Sequence, residues 1–397
     1  MRIILTLTLI AVVTFFSSCR KDLFRAPVSN VTHFVLSNPA HPMRDSVDAI
    51  VARYAAKGIP GIQVTIKNAD GWYATAAGVE EINSKKPMQA GAPGWLFSLT
   101  KAYTASLVMM QLEKGKIDID STISTYLPSS IAENIVGSND ITVRMLLNHS
   151  SGLINFTEEA GYMLRQLNTP TKQPSLDEMQ QMIYGKALLS QPGTKYFYSN
   201  SNYLLLQKIL EHVTGKTYRQ LLETEILAPL QLQKTWYGLS PEAVVEMGFP
   251  NYYFDRYSND QVENVTTWNH HLAAASYGWG GIAATPADAI RFYESLMEGH
   301  VVNAASLQQM INWFQGQGAT DPEYGLGIEY WQFVPGSTPQ RGHEGDGIGN
   351  TTMLLYVPDN DTYLFINCTV GRKFFGPYLF KVTDFKNDLA RYVAAWR

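Results

Sequence analysis

Three short motifs in this 397-residue chain carry side chains that could share one reaction. The first is Ser98-Leu99-Thr100-Lys101. A serine attacks at neutral pH when a nearby base takes its proton, and a desolvated lysine is neutral enough to serve. Ser98 opens an apolar helical run, so Lys101 lies one turn on along the same face. The unpaired Ser98 N–H at the helix start can meet a developing oxyanion. The spacing recurs at Ser18-Cys19-Arg20-Lys21, but no long apolar helix follows there. The second motif is Tyr198-Ser199-Asn200. A tyrosine beside an ammonium has a lowered pKa and can shuttle protons, and Asn200 offers a donor and an acceptor to a substrate amide. A copy, Tyr257-Ser258-Asn259, sits in the polar run 251–264. Tyr198 is favoured because it follows Gln191-Pro192-Gly193-Thr194 and precedes a helix, and context decides between motif copies. The third is His343-Glu344-Gly345, within Gly342 to Gly347. Gly345 allows a substrate to lie close to the backbone, and the Asp346 N–H could supply a second oxyanion donor.

These motifs need elements to hold them. Val47, Ile50, Val51 and Tyr54 recur at helical spacing and stop at Gly58. Two strands follow, 59–66 and 72–77, joined by a turn at Asn68-Ala69-Asp70-Gly71. From Ser98 to about residue 235 the texture is mainly helical, with strong runs at 99–114 and 203–213. Thr285 caps another helix with Pro286 at its first position. Strand texture returns at 324–333, 351–357 and 363–369, and a last helix spans about 385–396. Strands at both ends with helices between them predict an α+β fold. One antiparallel sheet is built from both chain ends and flanked by terminal helices. A mostly helical lobe, about 98–260, is inserted between its segments, and the site lies between the two.

The composition is 45% hydrophobic and 17% charged with a net charge of -4, which excludes a disordered chain and speaks against a nucleic-acid binder. Two cysteines leave no disulfide scaffold and no Cys-based metal site. His270 and His271 are adjacent and point apart, so they are not read as a metal pair, and His149 reads as pinning a turn. Residues 3–16 form an apolar run too short to span a bilayer, which fits a signal peptide over 1–18. Phe16-Ser17-Ser18-Cys19 resembles a lipoprotein lipobox, implying cleavage before Cys19 and lipidation of its thiol. Residues 19–40 then read as a tether, and 41–397 as the folded domain.

Taken together and in this order, the motifs resemble the serine β-lactamase and penicillin-binding hydrolase superfamily, in its class C and D-Ala-D-Ala carboxypeptidase-like branch. The likeness extends to Leu146-Leu147-Asn148-His149-Ser150-Ser151-Gly152-Leu153 and to Gly280-Gly281-Ile282, covering roughly 41–395. It implies a β-lactamase/transpeptidase-like fold and a serine hydrolase of the cell envelope, lipid-anchored to a membrane. By the resemblance Ser98 forms an acyl-enzyme and Lys101 and Tyr198 share proton transfer. Asn200 orients the substrate, and His343 replaces a basic residue on the strand lining the cleft. The N–H groups of Ser98 and Asp346 form the oxyanion hole. The substrate is a small molecule or peptide carrying an ester or amide bond, with no metal or organic cofactor required. The alternative is a β-lactam-binding sensor that is acylated without turnover. One departure stands out: Glu344 occupies a position where a hydroxyl residue often binds a substrate carboxylate. If Glu344 faces the cleft, it disfavours such a carboxylate; strand alternation alone leaves its direction open.

Overall fold

The computed structural model describes residues 28–29, 37–372 and 376–397. The main sheet contains β1 (Val28–Ser29), β2 (Gly61–Asn68), β3 (Gly71–Glu81), β4 (Glu329–Trp331), β5 (Gln340–Asp346), β6 (Thr351–Val357) and β7 (Thr362–Cys368). They lie in the order β1-β3-β2-β7-β6-β5-β4, with the short strand Lys86–Pro87 pairing β3. The two chain ends meet where Val64 pairs with Ile366, antiparallel. The sheet is therefore assembled from both termini, as the strand textures predict.

Both faces of the sheet are covered, so β7 reads as a continuous apolar run rather than an alternating one. Leu364, Ile366 and Cys368 face one core with β2's Ile62, Val64 and Ile66. Tyr363 and Phe365 face the other. The first core is closed by α1 (Arg44–Ala56) and the C-terminal helix α6 (Pro377–Ala395). Val47, Val51, Phe385 and Leu389 meet there, and the Tyr54 and Phe385 rings stand 5.3 Å apart. Truncating a buried phenylalanine such as Phe385 to alanine costs about 3–5 kcal/mol.

The opposite face carries the helical lobe, with α2 (Thr100–Glu113), α3 (Ala160–Asn168), α4 (Asn200–Thr214) and α5 (Pro286–Met297). Thr285 caps α5 through its side chain with proline at the first turn, as expected. Helices continue to Met310, so the lobe runs past residue 260. A small sheet of Gly94–Trp95, Thr235–Tyr237 and Ile282–Ala284 is set within it.

Three further boundaries differ from the sequence reading. The strand expected over 324–333 shrinks to β4, because Gly327 presses against α2. A Cβ on Gly327 would lie 2.5 Å from Ala105 Cβ and 2.9 Å from the Lys101 carbonyl, and its φ is +77°. The last helix begins at Pro377, eight residues earlier than expected from its apolar spacing. Within the expected tether, Val28 and Ser29 pair with Ala77 and Ala76 as an edge strand. Cys19 and the signal segment lie outside the described residues. Among the described residues, no helix is long and apolar enough to cross a membrane.

Candidate active site

The serine is held on a strained turn pinned to the sheet. Ser98 lies in a 3₁₀ turn, Phe97–Leu99, that leads into α2. Phe97 adopts φ +45°, a conformation that costs an aromatic residue roughly 1–3 kcal/mol and survives where packing over-determines it. That packing comes from β5, β6 and the turn between them. Thr352 Oγ1 donates to the Leu96 carbonyl at 3.1 Å, and Asn350 Nδ2 donates to the Trp95 carbonyl at 3.0 Å. A Cβ on Gly345 would sit 2.1 Å from the Leu96 carbonyl oxygen. The nucleophile turn thus requires a glycine at 345, a role the sequence reading did not assign to this residue.

Lys101 follows one turn later and is fully buried. Its Nζ lies 3.1 Å from Ser98 Oγ, 2.8 Å from Asn200 Oδ1 and 3.0 Å from the Trp279 carbonyl. The last two are pure acceptors and take N–H groups. A deprotonated amine in this setting turns its lone pair toward the serine hydroxyl. The Asn200 amide is oriented for this contact because its Nδ2 donates to Thr157 Oγ1 at 3.0 Å. Asn200 is also the first residue of α4, and its backbone N–H donates to Asn155 Oδ1 at 3.1 Å.

Tyr198 completes the group. Its hydroxyl hydrogen-bonds the Ser98 side chain, and Lys101 Nζ stands 4.8 Å from its ring centre. Burial raises the phenol's pKa well above 10, outweighing the lowering effect of the Ser98 bond. Tyr198 is therefore a phenol at neutral pH, opposite in direction to the lowered pKa expected from a neighbouring lysine.

His343 also departs from expectation. It is 1% exposed and does not line the cleft. Its Nε2 meets Tyr324 Oη at 2.6 Å, and its Nδ1 meets the Glu344 carbonyl. A carbonyl only accepts, so Nδ1 carries the proton and Nε2 accepts from the tyrosine. Burial, reinforced by Lys101, lowers the imidazole's pKa to about 3. A neutral ring with both nitrogens engaged cannot act as the basic residue the resemblance implied.

Glu344 does face the cleft, but its charge is balanced. Arg372 contacts its Oε2, and Lys386 Nζ, itself 1% exposed, lies 2.6 Å from its Oε1. The same guanidinium grips Asp346 through two bonds, Nε to Oδ1 at 2.8 Å and Nη2 to Oδ2 at 2.9 Å. Burial works to raise the Asp346 pKa, yet Arg372 and Lys386 outweigh it and hold the carboxyl below its usual range. Glu329 on β4 is the third acid. Its Oε2 accepts from the Glu344 N–H at 3.2 Å, and burial with nearby Glu344 pushes its pKa well above the usual value. The wall thus pairs the Glu344 and Asp346 carboxyl groups with the Arg372 and Lys386 side chains.

Ser98, Tyr198, Asn200, Glu344 and Asp346 line one cleft of about 580 Å³, whereas Lys101, His343 and Gly345 stand behind its surface. Apolar side chains also line it, among them Tyr162, Met163 and Leu167 of α3, Leu272, Ile348 and Leu379. Sequence reasoning missed Thr157, the Trp279 carbonyl, Glu329, Arg372 and Lys386. The carbonyl leaves no side-chain signal, and the other four come from segments distant from the motifs they support. His270 Nδ1 accepts the Trp95 indole N–H at 2.8 Å.

The Beta-lactamase family profile matches residues 47–377. The chain belongs to the beta-lactamase family. Among relatives of this family member is Penicillin-binding protein 4* of Bacillus subtilis (strain 168), 24% identical over 321 residues, covering 77% of this chain and 67% of that protein. The N-acetylmuramyl-L-alanine amidase of the same organism is 28% identical over 340 residues, covering 75% of each. Protein flp of Staphylococcus aureus (strain MW2) is 28% identical over 196 residues, and the match spans 48% of this chain and 38% of that protein. The D-amino acid amidase of Ochrobactrum anthropi SV3, in complex with L-phenylalanine amide, shares the fold at a TM-score of 0.75 and 22% identity, covering 88% and 97% of the two chains. A D-stereospecific amidohydrolase from Streptomyces sp. does so at 0.72 and 24%, covering 83% and 94%. The beta-lactamase family member described here is accordingly a serine hydrolase of the β-lactamase/transpeptidase-like fold.

Proposed function

We propose that this hydrolase cleaves an ester or amide whose acyl part carries an apolar group and no free carboxylate beside the scissile bond. The observation that carries the chemistry is the placement of Lys101 Nζ between Ser98 Oγ, Asn200 Oδ1 and the Trp279 carbonyl. Lys101 takes the proton as Ser98 Oγ attacks the carbonyl carbon. The N–H groups of Ser98 and Asp346 receive the negative oxygen of the tetrahedral intermediate. Tyr198, a phenol in the resting site, gives its proton to the leaving group and is reprotonated through Lys101. Asn200 holds the amine in place. Water then repeats the attack on the acyl-enzyme, and Ser98 is released.

Two features support the substrate class. The cations in the cleft wall, Arg372 and Lys386, are already paired with Glu344 and Asp346, so a substrate carboxylate finds Glu344 instead of a free cation. The α3 wall offers Tyr162, Met163 and Leu167 to an apolar group. The names of two similar proteins, an amidase of D-amino acids and a muramyl-alanine amidase, agree with an amide bond. The test is a panel of neutral esters, amino-acid amides, D-amino-acid peptides and penicillin, run on wild type, Ser98→Ala and Glu344→Thr. Neutral esters and amides are expected to turn over, with penicillin gaining at least tenfold in Glu344→Thr. Equal turnover of carboxylate and neutral donors by wild type overturns the substrate class. A penicillin burst without turnover of any donor selects the sensor reading.

We also propose lipidation of Cys19, supported by the apolar run 3–16 and the residues Phe16-Ser17-Ser18 before it. Cys19→Ser is expected to move the protein from the membrane to the soluble fraction; retention at the membrane overturns the anchor.

A further inference from the structure

His149 lies outside the reacting group, yet five features centre on it. It is fully buried, and it holds φ +60°, a left-handed conformation that a non-glycine residue keeps only where its surroundings over-determine it. Its carbonyl oxygen accepts the Phe197 N–H at 2.9 Å. Its ring Nδ1 accepts the Ser199 N–H at 3.2 Å and the Asn202 side-chain Nδ2 at 3.0 Å. Its ring packs on the Tyr198 ring with centroids 4.4 Å apart.

The bonds also fix the ring's proton. A backbone N–H and an amide NH₂ can only donate, so Nδ1 must be unprotonated. The backbone Ser199 N–H cannot reverse its role, so Nδ1 stays an acceptor, and Asn202 Oδ1 is engaged by Ser151 Oγ at 2.7 Å. The proton therefore sits on Nε2, and the ring is edge-on to Tyr324 at 4.8 Å. Burial, then the nearby Lys101 and His343, lower the imidazole's pKa well below its ordinary value, which keeps this tautomer neutral. Other groups facing the ring are the phenols of Tyr196 and Tyr203.

We infer that His149 is the positioning residue for the Tyr198-Ser199-Asn200 turn, fixing the Tyr198 hydroxyl on Ser98 and Asn200 Oδ1 on Lys101. One residue holds the chain on both sides of Tyr198, through Phe197 before it and Ser199 and Asn202 after it. The clamp is short-range, so losing it frees the phenol and the amide together. This rests on the acyl-transfer reading above, and the experiment separates the two.

The test compares His149→Asn with His149→Gln. The asparagine Oδ1 falls near the place of Nδ1 and can accept the same two N–H groups; the glutamine oxygen falls near Nε2 and cannot. On a neutral ester, His149→Gln is expected to lose about 100-fold in kcat with KM within threefold, the scale of a small misplacement of reacting groups. His149→Asn is expected to recover at least tenfold of that loss. Active-site titration with a fluorophosphonate normalises each rate to folded, reactive Ser98. It also shows whether Ser98 is a nucleophile at all, so failure of the acyl-transfer reading is seen separately, in wild type. Equal rates per titrated site for Asn, Gln and wild type overturn the inference, as does a loss carried by KM with kcat unchanged. If His149→Gln does not fold, Asn202→Leu, which removes one of the two donors and keeps His149, is read in its place. It is expected to lower kcat per titrated site at least fivefold, and an unchanged kcat overturns the inference.

Discussion

Lys101 and Arg372 are basic side chains set at the same cleft, and they are surrounded in opposite ways. Lys101 Nζ is met by a hydroxyl, an amide oxygen and a peptide carbonyl, all uncharged. Arg372 is met by the carboxylates of Asp346 and Glu344. Neutral acceptors orient an amine and leave it able to part with a proton. Carboxylates fix a permanent cation and are fixed by it. The first arrangement suits a group that cycles between protonation states. The second suits a wall that must keep the end of β5 in place beside Ser98.

The largest effect expected from this contrast is at Lys101. Lys101→Arg supplies a basic side chain that cannot give up its proton and so cannot accept one, and it is predicted to lose activity as fully as Lys101→Met, about a thousandfold or more in kcat. Steady-state kinetics on a neutral ester measure it, and a Lys101→Arg variant within tenfold of wild type breaks the contrast. At Arg372 the order reverses. Arg372→Met leaves Glu344 and Asp346 short of a cation and is predicted to cost about 3 kcal/mol of stability, whereas Arg372→Lys retains the charge and loses less. Chemical denaturation compares the two, and equal losses contradict the assignment.

A smaller effect concerns acid. The folded His343 has a pKa of about 3, depressed below the ordinary 6.5. Between those values the unfolded chain binds a proton that the folded ring refuses, so stability falls as pH drops from 6.5 toward 3. His343→Gln is predicted to flatten that part of the stability–pH curve, and an unchanged slope contradicts a buried neutral imidazole. Glu329 has the opposite sign. Its folded pKa is raised, so its contribution is fully present below the unfolded carboxyl's pKa and is lost as pH rises toward the folded one. Glu329→Gln is predicted to remove that loss on raising the pH, read from the same stability–pH curve, and it is the smallest change of the set.

The same contrast explains what the sequence could disclose. Ser98 and Lys101 are three residues apart on one helical face, so their contact follows from helix geometry. Tyr198 and Asn200 straddle a helix start, which local spacing also marks. The sheet was legible too, since β2, β6 and β7 each carry an apolar run between turn signals. The β5 wall was not. His343, Glu344 and Gly345 are neighbours in the chain, but what each does depends on Tyr324, Arg372, Lys386 and the Leu96 carbonyl. None of these stands at a diagnostic spacing from them. Hence spacing places His343 where a basic residue often stands but does not show that burial lowers its pKa, nor that Gly345 seats the nucleophile turn. The direction of the Tyr198 shift was missed for a related reason, because spacing reveals a neighbouring charge but not how deeply the pair is buried.

The central claim is that the Ser98 hydroxyl becomes a nucleophile through the Lys101 amine. Intact-protein mass spectrometry after mixing with an activated phenyl ester tests it most directly. Wild type is predicted to show one acyl group, mapped to Ser98, that forms rapidly and decays as product appears. Lys101→Met is predicted to form it at least a thousandfold more slowly, and Ser98→Ala not at all. Rapid acylation of Ser98 in Lys101→Met, or sustained turnover by Ser98→Ala, would contradict the account.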